Sequence, residues 1–429
     1  VLVNPRAILG VTLIAVLAGC GTGSSPSLPA AGLQTIGLAK VHATEKVLYS
    51  FTDAVDGGGP NGGLVFDASG NAYGTTHFGG NDSCGGQVGG GCGVVFELSP
   101  NESGSWSETP LYAFQDSNDG GFPNAGVILD KSGNILGTGS TGGSFACSIG
   151  CGVVYELSKG SGWTKTVLHT FDGSDGEFPN ATLMPSANGT LYSTTWYGGS
   201  SGNGTVFSLA PAGGSGWKES VLYGFQGTTD GSAPAGGVVA DRAGNLYGTT
   251  YKYDGDNDGV AFELRKHAAW KDSVLYSFTN NGGGEDPYAG MIMPAKGKLY
   301  GTAIESGPND GGVAFELILR TKHRRTEKVL HAFGAPGDGN APYGGVIADK
   351  RGNLYGTTVF GGANNAGIVY ELSPSGSGQW KEKILYSFTG GSDGQYPSGS
   401  LTLDATGNLY GATSNGGQNS YGVIFEITR

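Results

Sequence analysis

The sequence predicts an all-β fold, a ring of seven four-stranded sheets, and three observations carry that prediction. Glycine supplies 83 of the 429 residues, nearly three times its usual share of ~7%. A tetrad of the form Leu-Tyr/His-x-Phe returns seven times along the chain. Between successive copies, the same four short strand-like segments recur in the same order.

The glycine count works first by exclusion. A glycine inside a helix costs about 1 kcal/mol relative to alanine, so a chain this rich in it is neither a helical bundle nor a helical solenoid. No Gly-X-Y period is present, which excludes a collagen helix. Aromatic residues make up 10% of the chain, enough to pack a core and too many for a disordered one. Charged residues reach only 14%, against a usual ~25%. Short strands joined by tight turns fit this mixture.

The repeat gives the architecture. LYSF at Leu48 returns as LYAF at Leu111, LHTF at Leu168, LYGF at Leu222, LYSF at Leu275, LHAF at Leu330 and LYSF at Leu385, at spacings of 63, 57, 54, 53, 55 and 55 residues. Each unit opens with a loop of the form Asp-Gly-x-x-Pro, as at Asp175 to Pro179. A short apolar strand follows (residues 237–241 in one unit), then a turn and a strand reading GNLYGTT (244–250), a Gly-rich loop, and a strand of the GVVFEL type (259–264). A longer turn, often containing Trp (Trp106, Trp163, Trp217, Trp270, Trp380), leads to the next tetrad. Four strands per unit of about 55 residues is the pattern of β-propeller blades. A lone sheet with apolar residues on both faces cannot hide them, whereas radial packing buries both faces and leaves short edges. Gly-Asn pairs at Gly70, Gly133, Gly244, Gly352 and Gly407 mark the turn between the first two strands, where positive φ is needed. The chain opens on an isolated tetrad strand (47–51) and ends on a third strand (422–427). The ring of this seven-bladed β-propeller is therefore expected to close by the N-terminal strand pairing with the last blade.

These segments, the GNLYGTT strand, the GG loop, the GVVFEL strand and the LYxF strand, resemble the GloVer tandem-repeat proteins of the choice-of-anchor group, over residues 47–429. The resemblance implies a propeller-like protein of the cell surface or envelope, and it brings no established activity or catalytic residues. A weaker similarity joins the Gly-Asn-Leu-Tyr strand to NHL-type propellers.

Residues 1–19 read as a signal peptide, with one early positive charge and an apolar run of eleven (7–17), too short to span a bilayer. Leu17-Ala18-Gly19-Cys20 resembles the bacterial lipobox, which makes Cys20 the lipidated residue and 20–45 a flexible tether before a propeller at 46–429. The expected location is the bacterial cell envelope, outside the cytoplasm, held by lipid at the outer membrane or cell surface. Four further cysteines form two close pairs, Cys84 with Cys92 and Cys147 with Cys151. In an exported chain they suggest local disulfides, with cross-pairing or a zinc site as the alternatives.

Repeated polar residues read as structural. The glutamate of the GVVFEL strand (Glu97, Glu156, Glu263, Glu316, Glu371, Glu426) and lysines before the tetrad suggest cross-strand ion pairs. The loop aspartates Asp56, Asp119, Asp175, Asp230, Asp338 and Asp393 suit turn capping, or else an electronegative ring around one mouth. GxGxxG at Gly137 and GxSxG at Gly198 lack the helix that gives either motif meaning. The six histidines are scattered, His169 and His331 merely replace the tetrad tyrosine, and no metal or acylation triad is expected from them.

Two features are specific to single units. Asp254, Asp256 and Asp258 before Gly259 alternate as in an oxygen-ligated Ca²⁺ loop, although Arg265 stands where a bidentate Glu would complete it; a solvated acidic turn is the alternative. Beyond that possible Ca²⁺ no cofactor is expected. Aromatic and His residues in the loops of one face (His77, Trp196, Tyr197, Tyr251, Tyr253 and Phe360, with Tyr288, Tyr343 and Tyr396 nearby) suit stacking on sugar rings or anchoring a peptide, or else wedge blades apart. Net charge −12 argues against nucleic acid. The expected function is a monomeric binding or scaffolding module for glycan or protein; the alternative is an extracytoplasmic polysaccharide hydrolase or lyase.

Overall fold

The computed structural model describes residues 43–429 except 81–83, 85–89, 215, 228, 252–257, 267–269, 280–281 and 321–323. Residues 1–42, Cys20 among them, lie outside the described residues. Among the described residues there is no helix, and the strands assemble into seven four-stranded antiparallel blades of a β-propeller. Blade 2 is typical: Ile128–Leu129 innermost, then Ile135–Gly139, Val153–Lys159 and, outermost, Trp163–Thr170. Blade 7 runs Thr402–Leu403, Leu409–Thr413, Val423–Thr428, and its outer strand is Thr44–Ser50 from the start of the chain. The closure pairs Tyr49 with Ile424 and Val47 with Phe425.

The GNLYGTT motif has a separate reason at each position. Its Gly70-type turn residue has φ near +86° and meets nothing a Cβ would strike, so conformation alone selects it. The later glycine is selected by space. A Cβ on Gly248 would lie 2.5 Å from the Phe262 ring of the third strand, and Gly74, Gly137, Gly301, Gly356 and Gly411 meet the same aromatic in their blades. That aromatic receives the tetrad phenylalanine of the preceding blade: Phe51 on Phe96, Phe114 on Tyr155, Phe171 on Phe207, Phe225 on Phe262, Phe278 on Phe315, Phe333 on Tyr370 and Phe388 on Phe425, with centroids 4.9–5.2 Å apart. One contact repeated seven times welds the ring, each worth ~0.5–1.5 kcal/mol beyond its buried area. The two threonines are also assigned. Thr249 donates to Ala289 O of the next blade at 2.9 Å, and Thr250 accepts from Val260 N–H within its own blade at 3.1 Å.

The tetrad strand carries a bulge in every blade. Its leucine has no opposite number across the ladder, as at Leu48, Leu168 and Leu385, so the next residue is turned to the other side. There it meets the loop aspartate. Tyr49 donates to Asp56 at 3.0 Å, Tyr112 to Asp119 at 2.7 Å, Tyr223 to Asp230 at 2.9 Å and Tyr386 to Asp393 at 2.9 Å. The same aspartates accept backbone N–H groups of their own turns, from Thr52, Gln226 and Thr389 among others. They are turn caps tied to the outer strand, at the rim and not around the central opening. Each faces one more residue, from the next blade's outer strand: Glu108 beside Asp56, Lys165 beside Asp119, Glu45 beside Asp393.

Two expectations need correction here. The histidines do assemble with carboxylates, because the bulge turns His169 onto Asp175 and His331 onto Asp338, with Glu219 and Glu382 of the following blades alongside. The GVVFEL glutamates also find different partners from those expected. Glu263, Glu316 and Glu426 accept from Tyr247, Tyr300 and Tyr410 of the adjacent strand, while Lys46 and Lys328 reach the carbonyls of Gly104 and Gly378. Register alone does not decide this: Tyr247 lies directly opposite Glu263, but Lys46 and Lys328 also lie opposite Glu426 and Glu316 on the other neighbouring strand. The cysteines pair locally, Cys84 with Cys92 and Cys147 with Cys151, with Cα atoms 5.5 and 5.2 Å apart.

Candidate ligand-binding mouth

The loop entering each blade and the loop after its second strand emerge on one face, as antiparallel order requires, and antiparallel bridges such as Glu177 with Tyr197 and Gln395 with Asn415 join them. The residue before the loop proline adopts positive φ in every blade: Gly59, Phe122, Phe178, Ala233, Asp286, Ala341 and Tyr396, at 47–61°. Its N–H donates to the preceding blade, for example Phe178 to Cys151 O at 3.1 Å and Tyr396 to Ala366 O at 3.0 Å. Its carbonyl accepts from the residue just past GTT, as Trp196 N–H to Phe178 O at 3.0 Å. This kink fixes two positions per blade at the inner edge of the face.

The first position follows the loop proline and reads Asn61, Asn124, Asn180, Ala235, Tyr288, Tyr343, Ser398 around the ring. The second follows the GTT motif and reads His77, Ser140, Trp196, Tyr251, Ile304, Val359, Ser414. Both sets divide the mouth in two. One arc is polar: Asn124 Nδ2 lies 3.0 Å from Asn180 Oδ1 and 3.2 Å from Ser140 Oγ, and Ser398 donates to Asn61 Oδ1. The other is aromatic. Trp196 meets Tyr251 at 6.3 Å and Tyr288 at 5.9 Å between centroids, Tyr251 meets Tyr288 at 5.7 Å, and Tyr288 meets Tyr343 at 5.4 Å. Tyr197 stacks on Trp196 at 5.7 Å with planes 5° apart.

Electrostatics keep this arc neutral but polar. Burial pushes the Tyr288 phenol up to about 12, with Tyr343 adding to it. Tyr251 is raised by burial and then by the Asp286 charge, and Tyr343 by burial and then by Glu305 and Asp286. All three remain hydroxyl donors at any physiological pH. Trp196 Nε1 is enclosed without an acceptor, a state that costs ~1–3 kcal/mol.

The mouth therefore gathers Trp196, Tyr197 and Tyr251 with Tyr288 and Tyr343 in the aromatic arc, while His77 sits on the polar arc beside Asn124 and Phe360 stands apart. His77 lies against Phe78 and Phe122 at 4.3 and 5.1 Å, with its pKa pushed down to about 4 by burial, and so is neutral. Phe360 is exposed and meets Tyr396 at 5.3 Å. Tyr253, Asp254 and Asp256 lie outside the described residues, and the carbonyl of Asp258 accepts from Asp286 N–H at 3.1 Å. The asparagine arc carries no repeated motif of its own; its only mark in the sequence is the residue type after each loop proline.

A second concavity, about 410 Å³, lies between blades 5 and 6, lined by Lys298, Tyr300, Glu316, Lys328 and Trp380 among others. Its polar groups satisfy each other: Lys298 pairs with Glu316 at 2.7 Å, and Tyr300 donates to the same carboxylate at 3.1 Å.

Among solved structures, the chain is similar to a candidate 6-phosphogluconolactonase from Bacteroides uniformis, at 13% identity and TM-score 0.46, covering 75% of this chain and 83% of that one. A candidate oxidoreductase (glucose dehydrogenase) from Thermus thermophilus is similar at 15% identity and TM-score 0.42, covering 70% and 95%. A protein of unknown function from Dyadobacter fermentans is similar at 12% and 0.44, covering 90% and 98%. No curated protein sequence matches the chain. Residues 127–335 and 295–429 match the Gloeobacter/Verrucomicrobia repeat, and the chain belongs to that repeat family.

Proposed function

We propose that the protein is a glycan-binding module of the cell envelope, held by lipid on Cys20, which seats an extended sugar chain across the mouth. The observation that carries the reading is the aromatic arc of Trp196, Tyr251, Tyr288 and Tyr343 set beside the amide arc of Asn61, Asn124 and Asn180. A pyranose ring has an apolar C–H face and a rim of hydroxyls, so it requires both chemistries side by side. The neutral phenols and amides donate and accept without charge, which suits hydroxyls better than ionic groups.

An oligosaccharide array followed by calorimetry on the purified protein tests the reading. Saccharide binding is expected, lost in Trp196→Ala and weakened in Asn124→Ala. Binding of peptides in place of saccharides, or saccharide binding indifferent to Trp196→Ala, overturns it. Turnover of an acidic polysaccharide that disappears in Asp286→Asn would replace it with the hydrolase or lyase reading. Fatty-acid labelling of the expressed protein, absent in Cys20→Ser, checks the anchor.

A further inference from the structure

The rim junctions form a set of six, since Gly283 stands where the loop after Tyr276 would carry its aspartate, and the first and third positions have natural variants within the one chain. A junction consists of the tetrad Tyr or His, the loop aspartate and the acidic residue of the next outer strand. At the junction between blades 1 and 2 the third member is Lys165, half-buried and drawn to Asp119. At the junctions between blades 2 and 3 and between blades 5 and 6, the first member is histidine.

We propose that these two junctions, His169 with Asp175 and Glu219, and His331 with Asp338 and Glu382, are binding sites for a divalent transition-metal ion, Zn²⁺ by their chemistry. In each, one imidazole nitrogen and two carboxylate oxygens lie within 4.8 Å of one another. His169 Nε2 is 2.8 Å from Asp175 Oδ2; His331 Nε2 is 3.0 Å from Asp338 Oδ2 and 3.7 Å from Glu382 Oε2. A tetrahedral ion with bonds of about 2.0–2.2 Å sets its ligands about 3.3–3.6 Å apart, so pairs that stand up to 4.8 Å apart need to close by only about 1 Å. One nitrogen with two hard oxygens suits Zn²⁺ or its first-row neighbours and not Ca²⁺, which takes oxygen alone.

Two further observations support an ion there. The Asp oxygen turned away from the histidine is already held by backbone: Asp175 Oδ1 accepts from Asp172 N–H at 2.9 Å, and Asp338 Oδ1 from Gly339 N–H at 2.5 Å. That is how metal-binding carboxylates are oriented. Glu219 Oε1 and Glu382 Oε1 are enclosed without a hydrogen-bond donor. The sites lie at the rim, with His169 19% and His331 22% exposed, so an ion can enter and water can fill the fourth position. On binding, the proton on the imidazole nitrogen facing the aspartate moves to the other ring nitrogen, which frees Nε2 as the ligand, and the ion links the outer strands of two blades.

The test uses protein purified without a histidine tag, stripped with chelator and titrated with Zn²⁺ by calorimetry. Two ions per chain are expected, with a raised melting temperature and intense tetrahedral d–d absorption when Co²⁺ replaces Zn²⁺. His169→Tyr and His331→Tyr each convert a junction to the form three others already have, so the fold is kept; each should remove one ion, and the double variant both. Tyr223→His, beside Asp230 and Asp272, should add a third. Full Zn²⁺ binding by the double variant, or none by the stripped parent, overturns the proposal, and neither result depends on a saccharide.

Discussion

The rim and the mouth are built on the same repeat by the same strands, and they differ in how each blade uses its turn. At the rim, the tetrad Tyr or His, the loop Asp and the following acidic residue recur with few exceptions, and each exception changes chemistry: two histidines, one lysine, and one glycine, Gly283, in place of the aspartate. At the mouth, only the kinked backbone recurs, and the side chains it presents change from asparagine to tyrosine across the ring. Repetition of a side chain marks what every blade needs to stand. Repetition of a backbone shape with freed side chains marks where a ring can become asymmetric, and asymmetry is what a ligand reads.

The largest effect should come from the weld between blades. Phe225→Ala removes a fully buried ring packed on Phe262 and should cost about 3–5 kcal/mol in denaturant unfolding; a loss below about 1 kcal/mol would show that the repeated contact does not hold the ring. Next, Trp196→Ala should weaken saccharide binding by about 10- to 100-fold, a hot-spot-sized loss, while shifting unfolding far less than Phe225→Ala. If both variants lose stability equally, the mouth belongs with the rim and the contrast fails.

A smaller effect concerns pH. Burial, then the Asp56 charge, pushes Glu108 up to about 8; burial, then Asp393, pushes Glu45 up to about 7; burial alone takes Glu327 to about 7. Each keeps a proton in the folded chain that the unfolded chain releases above about pH 4.5. Their stabilisation is therefore complete below that value and is lost as pH rises through 7–8. His77 acts in the opposite sense only up to about 6.5. The melting temperature should fall between pH 5 and 8.5, and Glu108→Gln should flatten the fall; an unchanged slope would show that the rim carboxyls are ionised throughout. Smallest, Ala233→Gly relieves a positive φ of 53° at a buried kink. It should be neutral or raise stability by up to about 1 kcal/mol, whereas a marked loss would mean the Cβ packs in a way the kink requires.

Seven blades, their strand order and the ring closure were legible because each rests on local signals: turn glycines, alternating apolar strands, and a tetrad that returns at nearly constant spacing. The turn role of Asp175 and its relatives was legible for the same reason. The Lys–Glu pairing was misread although Lys46 and Lys328 do stand opposite Glu426 and Glu316, because phenols of the second strand and carbonyls of the next blade take the two groups instead; and alternation alone cannot reveal the bulge, whose leucine changes which side the following residue faces. That same bulge hid the histidines. His169 and Glu219 are 50 residues apart, and no spacing rule joins an outer strand to the outer strand of the next blade. Six or seven residues from the tetrad histidine to the loop aspartate was the one available signal.

By itself the sequence determined a ring of repeated sheets, since hydrophobic period and turn chemistry act within a few residues. Only the tertiary structure decided which faces the side chains share: the aromatic arc set against the amide arc, and the histidines set against two carboxylates. Both arise where neighbouring blades pack, and radial packing is a property of the closed ring that no single repeat contains.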